Sequence, residues 1–155
     1  MLLTIEKVLV LKTLSIFAAT PDDDLARVAA VVEEVAVKAG DLIIEKGAAG
    51  ECMYVIAEGT VRMHDGERTI AELGARNVVG ELGALDPEPR SASVTALSDA
   101  LLFRLDREAL YEVMAEDIEV AKGIIHVLCH RLRGVLFNTA QGDVPLPPLG
   151  TGNDA

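Results

Sequence analysis

The sequence has no tryptophan, and aromatic residues make up only 3% of it. Its core must therefore be built from Val, Leu, Ile and Ala, which suits a tight β structure capped by helices. Basic residues are scarce too: 14 Lys and Arg stand against 25 Asp and Glu, a formal net charge of −11. Binding to nucleic acid or to an anionic membrane surface rewards a basic face, so this balance argues against both. It also makes any phosphate ligand dependent on a locally positive pocket. The two cysteines, Cys52 and Cys129, share no short spacing. Without a secretory signal they read as reduced core thiols of a cytoplasmic protein. Long apolar runs are missing as well. Met1-Leu2-Leu3 is soon interrupted by Glu6, Lys7 and Lys12 and lacks a basic start, so neither a signal peptide nor a membrane span is expected.

Motifs of catalysis are equally absent. His126 and His130 stand four apart with no glutamate between them, so they do not make a metalloprotease pair and read as exposed or partly packed. His64 alone is no strand-borne metal cluster, and no phosphate-binding G-x-x-x-x-G-K-[ST] loop or nucleophile–base pair appears. The acidic run Asp22-Asp23-Asp24 reads as helix-start chemistry. No catalytic residue, metal ligand or cofactor is assigned, and an enzyme is not expected.

What is present is one domain's length of chain, 155 residues, with a change of period along it. Ile5, Val8, Leu9, Leu11 and Leu14 predict a helix from Ile5 to Phe17. Thr20-Pro21-Asp22-Asp23 supplies a capping residue, a first-turn proline and acids for a second helix. Leu25, Val28, Ala29 and Val32 form its buried stripe. From Val35 the period shortens. Ala39-Gly40-Asp41, Gly47 to Gly50, Glu58-Gly59 and His64-Asp65-Gly66-Glu67 punctuate short strands, with Asp65-Gly66 a tight-hairpin signal. Thr69 to Leu73 is the returning strand and Ala100 to Leu105 the last. Asp106 can cap a helix through Leu110, Val113 and Met114. A longer helix carries Ile118, Ala121, Ile125, Leu128, Leu132 and Val135 at spacings of a coiled-coil seam. That seam fits packing against the rest of the domain and equally a helix-mediated homodimer. The proline- and glycine-rich stretch after Asn138 cannot bury a core and is expected to be a tail.

The chemistry concentrates between Gly80 and Val94. Asn77-Val78-Val79 leads into Gly80-Glu81-Leu82-Gly83-Ala84-Leu85, then Asp86-Pro87-Glu88-Pro89-Arg90-Ser91-Ala92-Ser93-Val94. Glycine lets backbone approach a ligand closely. Amides of a short helical turn from Leu82 to Leu85 would attract an anion. Arg90 offers a permanently charged planar fork that matches two phosphate oxygens. Glu81, acceptor-only when ionised, suits a sugar hydroxyl. An anion-binding pole beside a hydroxyl-binding pole describes a pocket for a phosphorylated sugar.

Gly80-Glu81-Leu82 followed by Pro89-Arg90-Ser91-Ala92-Ser93-Val94 resembles the phosphate-binding cassette of the cyclic nucleotide-binding domain family, which includes catabolite activator and protein kinase A regulatory types. Gly40-Asp41-Leu42-Ile43-Ile44 through Gly47, Gly50-Glu51, Met53-Tyr54-Val55-Ile56 and Gly59-Thr60-Val61 are similar to that family's first glycine-punctuated hairpins. The resemblance spans about Leu14 to Arg133. It implies an α+β, mainly β fold: a double-stranded β-helix or jelly-roll barrel flanked by N-terminal helices and a C-terminal helix pair. The expected organisation is a helical segment at 1–34, the barrel with its cassette at 35–105, helices at 106–140 and a tail at 141–155. By the same resemblance Arg90 is the phosphate ligand and Glu81 the partner of the ribose 2′-hydroxyl. Gly80, Leu82, Gly83, Ala84 and Ala92 line the site, and Ser91 touches the phosphate or the base. Arg131, Leu132 and Arg133 on the last helix are candidate base contacts. A serine after the arginine leaves cAMP and cGMP both open.

The implied function is a sensor that turns nucleotide occupancy into helix movement, in a homodimer or linked to an effector domain, with no direct nucleic-acid binding or membrane insertion. The alternatives are a piece of a transcription regulator of the catabolite activator type, or an interaction module that has lost its ligand.

Overall fold

In a computed structural model of the chain, the described residues are 2–86 and 88–140, without the side chains of Glu81, Leu82 and 138–140. The expected tail at 141–155 lies outside them, as does Pro87. The helices are α1 (Thr4–Leu11), α2 (Asp22–Val31), α3 (Glu81–Leu85), α4 (Arg107–Glu116) and α5 (Ile118–Ala140). The strands are β1 (Glu33–Val37), β2 (Leu42–Ile44), β3 (Cys52–Glu58), β4 (Val61–Asp65), β5 (Arg68–Leu73), β6 (Val78–Val79), β7 (Ser93–Ala96) and β8 (Ala100–Asp106).

The strands form two four-stranded sheets ordered β1-β8-β3-β6 and β2-β7-β4-β5, with antiparallel pairing throughout. This is the mainly β, jelly-roll arrangement expected from the short strands and their glycine turns. Between the sheets lie Ile44, Ile56, Val61, Val79, Val94, Ala100 and Leu102. The alternate residues Met53 and Val55 of β3, with Phe103 and Leu105 of β8, turn the other way and join the helical core of Leu11, Phe17, Leu25, Val28, Leu110 and Ile124. Successive strand residues point to opposite faces, so β3 and β8 are apolar on both sides and read as continuous runs. They fasten barrel and helices into one body. Ala84 of α3, fully buried, belongs to the helical cluster as well.

The N-terminal helix is shorter than its apolar period predicts. It ends at Leu11, and Leu14 is extended (φ −86°, ψ 136°) ahead of a 3-10 turn over Ser15–Phe17. Thr13 Oγ1 donates to Val10 O at 2.6 Å, closing the helix end locally. The break lets Leu14, Ile16 and Phe17 be buried together. Thr20 is not the cap of α2. Pro21 occupies that position without a side-chain cap bond, and Thr20 Oγ1 is buried without a hydrogen-bond partner. Asp106 does stand at the N-cap of α4, but its carboxylate accepts from Arg104 Nε at 2.9 Å rather than from the helix amides. Nor is Cys129 a core thiol: it is exposed, whereas Cys52 is half-buried, and both are free.

Helix α5 splits the predicted seam. Val120, Ala121, Ile124 and Val127 are buried, whereas Ile118 (65%), Ile125 (57%) and Leu132 (40%) are largely exposed. The helix lies close to the chain before α2, since a Cβ at Gly123 would meet Thr20 Oγ1 at 2.8 Å. No helix among the described residues is long and apolar enough to cross a membrane.

The corner between α4 and α5 is held to α2 by Asp117. Its Oδ1 accepts the Glu119 amide at 3.2 Å and its Oδ2 lies 3.3 Å from Arg27 Nε. A hydrogen bond with Asp117 raises the pKa of Asp24 above its ordinary value, aided by desolvation and by the charges of Asp117 and Glu119, while Arg27 opposes the shift. Folded Asp24 thus binds its proton more tightly than the unfolded chain does. Its contribution to stability is full at low pH and is lost as the pH rises through the raised value. Asp24→Asn should therefore raise Tm at about pH 7 and lose that advantage as the pH falls through the carboxylate range to about 3. Thermal melts across that range check this; a pH-independent difference would contradict it.

Candidate functional site

The cassette begins where β6 ends. Gly80 has φ +78°, a left-handed conformation that side-chain-bearing residues adopt at a cost, and it turns the chain into α3. Its carbonyl receives the Ala84 amide at 3.2 Å. After α3 the chain returns along the β2–β3 loop. Gly50 N donates to Glu88 O (3.2 Å), Arg90 N to Ala48 O (2.9 Å) and Gly47 N to Arg90 O (2.8 Å). Ala49 and Pro89 form an isolated antiparallel bridge. The backbone of Arg90 is thereby fixed by main-chain bonds before its side chain is considered.

That side chain turns inward. Arg90 is only 4% exposed. Its Nη2 donates to Cys52 O at 2.5 Å and its Nη1 lies 3.5 Å from Gly80 O. Cys52 Sγ is 3.8 Å from Nη2. The guanidinium occupies space that glycines leave open. A Cβ at Gly50 would lie 2.9 Å from Arg90 Nε, one at Gly80 2.4 Å from Nη1, and one at Gly83 2.7 Å from Nη1. Separations under 3 Å require something to shift, so a methyl group at Gly80 or Gly83 would press on the fork, and one at Gly50 on both the fork and the Glu88 carbonyl. Three segments converge on one cation: the β2–β3 loop, the end of β6, and α3.

The expected site residues are therefore placed as follows. Gly80, Gly83 and Arg90 are brought together. Ala84 and Ala92 are buried, Ala84 on the helical core and Ala92 just past the arginine, and Ser91 is exposed. Glu81 and Leu82 begin α3, and their side chains lie outside the described set. Arg131 donates from Nη2 to Ser15 Oγ at 2.6 Å, tying α5 to the 3-10 turn. Leu132 and Arg133 are exposed on the same helix. Gly50 and the carbonyl of Cys52, which form part of the arginine's enclosure, were not singled out as lining from sequence. The signal was the small-residue loop Gly47-Ala48-Ala49-Gly50, which permits close approach of a second segment.

Nearby, Tyr54 is half-buried, and burial pushes its phenol pKa up, reinforced by Cys52. A separate hollow of about 500 Å³ is lined by Glu51, Arg104, Asp106, Arg107, Glu108, Ala109 and Glu112. With four carboxylates to two guanidinium groups, it lacks the net positive charge an anion site needs. The buried cation lies at the cassette instead. What the cassette can do chemically is offer a pre-positioned permanent cation, framed by backbone, to a dianionic or monoanionic oxygen group.

Comparison with known proteins bears on the family and the fold. The chain is 29% identical over 144 residues to a CRP-like cAMP-activated global transcriptional regulator of Mycobacterium tuberculosis, covering 88% of this chain. It spans 64% of that regulator's length. The crystal structure of the N-terminal domain of a transcriptional regulator from Streptomyces coelicolor superposes with a TM-score of 0.77 at 32% identity, covering 81% of this chain and 93% of that one. The cAMP co-crystal structure of the regulatory domain of Toxoplasma gondii PKA superposes with a TM-score of 0.66 at 28% identity, covering 71% of this chain and 44% of that one. Residues 34–117, which run from β1 to the end of α4, match the cyclic nucleotide-binding domain family, and the chain belongs to that family.

Proposed function

We propose that this chain is a regulatory module that binds a 3′,5′-cyclic nucleotide, cAMP or cGMP, at the cassette and converts occupancy into movement of α4 and α5. The observation that carries this reading is the buried Arg90 in its enclosure of three glycines, at the point where the family's cassette stands. The phosphate would take the guanidinium and the amides around Gly83 and Ala84, and the ribose hydroxyl would take Glu81. The module acts by binding alone, with no reaction of its own. Its proposed compartment is the cytoplasm, in keeping with two free cysteines. The ligand must favour one arrangement of the helices, because equal affinity for both would shift nothing. Ile118, Ile125, Leu132, Leu136 and Phe137 stay outward on α5 and form the surface through which a second copy or a linked effector would read that movement.

A panel of nucleotides in a thermal-shift assay tests the ligand class. cAMP or cGMP at a hundredfold excess over Kd should stabilise the domain by about 2.7 kcal/mol, and linear 5′-AMP should do far less at the same concentration. Equal shifts for cyclic and linear nucleotides, or none, would reject the reading. Arg90→Ala should weaken cyclic nucleotide binding by roughly 2–5 kcal/mol, the scale for losing one partner of a desolvated charge pair. Titration calorimetry on both proteins measures it, and unchanged affinity would remove Arg90 as the phosphate ligand.

A second reading is favoured by the Mycobacterium and Streptomyces similarities: the module is the sensor portion of a longer transcription regulator. Contact with DNA would then come from elsewhere in that protein. In a gel-shift assay at about physiological salt this chain alone should leave duplex DNA unshifted, with or without cyclic nucleotide. Retardation of the duplex would show direct contact.

A further inference from the structure

Helix α4 is attached to two walls of the arginine enclosure. At its first residue, the Arg107 amide donates to Glu51 O at 2.8 Å. Glu51 lies between Gly50, which faces Arg90 Nε, and Cys52, whose carbonyl receives Nη2. One turn further on, Tyr111 Oη donates to Leu85 O at 2.5 Å, at the last residue of α3. The Arg107 guanidinium sits 4.7 Å from the centroid of the Tyr111 ring and steadies it there. Thus α4 holds the loop wall through a main-chain bond and the cassette wall through the Tyr111 phenol together with the apolar packing around Ala84.

Beyond α4 the packing is continuous. Leu110 and Val113 lie in the same buried cluster as Ala84 of α3 and Val120 and Ile124 of α5. Asp117 alone separates α4 from α5, and it is paired with Arg27 of α2. Whatever displaces the end of α3 relative to β3 must stretch the Tyr111–Leu85 bond or carry α4 with it.

We propose that Tyr111 is the positioning residue that transmits displacement of the cassette helix to α4 and α5. The proposal rests on the sensor reading above. It differs from a ligand contact: Tyr111 touches the backbone at the far end of α3. Tyr111→Phe keeps the ring and its Arg107 contact and removes the hydroxyl bond to Leu85 O.

Hydrogen exchange of the whole chain, with and without saturating cAMP, tests it in wild type and Tyr111→Phe, alongside calorimetric Kd values. In wild type, cAMP should alter exchange both in residues 80–92 and in α5. In Tyr111→Phe the cassette response should persist, while the α5 response falls by a factor of about two to ten, the equilibrium weight of one hydrogen bond. An undiminished α5 response in the variant, with cassette protection intact, overturns the relay and leaves the sensor reading standing. Loss of cAMP binding in the variant alone also overturns it, since Tyr111 would then shape the cassette rather than transmit from it. No cAMP or cGMP response in wild-type residues 80–92 overturns the sensor reading, and the relay with it.

Discussion

The site is organised by a buried guanidinium that must be surrounded by backbone. Taking a permanent cation out of water is expensive unless its N–H groups find acceptors. Here carbonyls of Cys52 and Gly80 serve, and they can be reached only because Gly50, Gly80 and Gly83 put no Cβ in the way. The main-chain bonds from the β2–β3 loop to Glu88 and Arg90 then set the depth at which the side chain enters. A phosphate bound here, as proposed, would meet a cation whose position is already fixed, so little ordering entropy would be lost on binding. The same cation adds positive charge at one place in a chain of net charge −11.

A second constraint follows from β3 and β8 being apolar on both faces. One set of their side chains fills the space between the sheets and the other set meets the helices. Barrel and helices cannot separate without exposing the second set and the helical side chains packed on it. The cassette helix sits at the seam, with Ala84 in the helical cluster and its carboxyl end bonded to α4. A ligand that shifts α3 by a small amount therefore acts on a packed interface, which responds by moving elements as units and not by local compression. The acidic pair Asp24 and Asp117 and the Arg131–Ser15 bond place α5 within reach of the same adjustment.

Much of this was legible in the residue order, because turns, alternation and close approach are local demands. Asp65-Gly66 marks the β4–β5 hairpin, Leu25, Val28 and Ala29 mark the buried face of α2, and Gly80 with Arg90 marks the cassette, all read from spacing or from motif resemblance. Local pattern misled where two segments compete for one space. The apolar period from Ile5 to Phe17 is helical throughout, yet the chain breaks after Leu11 so that Ile16 and Phe17 can be buried. Thr20 has the chemistry of a cap and is buried unpartnered instead, beneath the close approach of Gly123.

Sequence alone thus determined the strand-and-turn plan, the family and the identity of the buried cation, since each depends on residues near one another in the chain. Tertiary structure alone decided that Gly50 and Cys52 enclose Arg90, that α5 buries Val120, Ile124 and Val127 and leaves Ile118 and Ile125 outward, and that Tyr111 meets Leu85. Those contacts join residues far apart along the chain, and which acceptor or apolar face wins is settled only when the whole core closes around them.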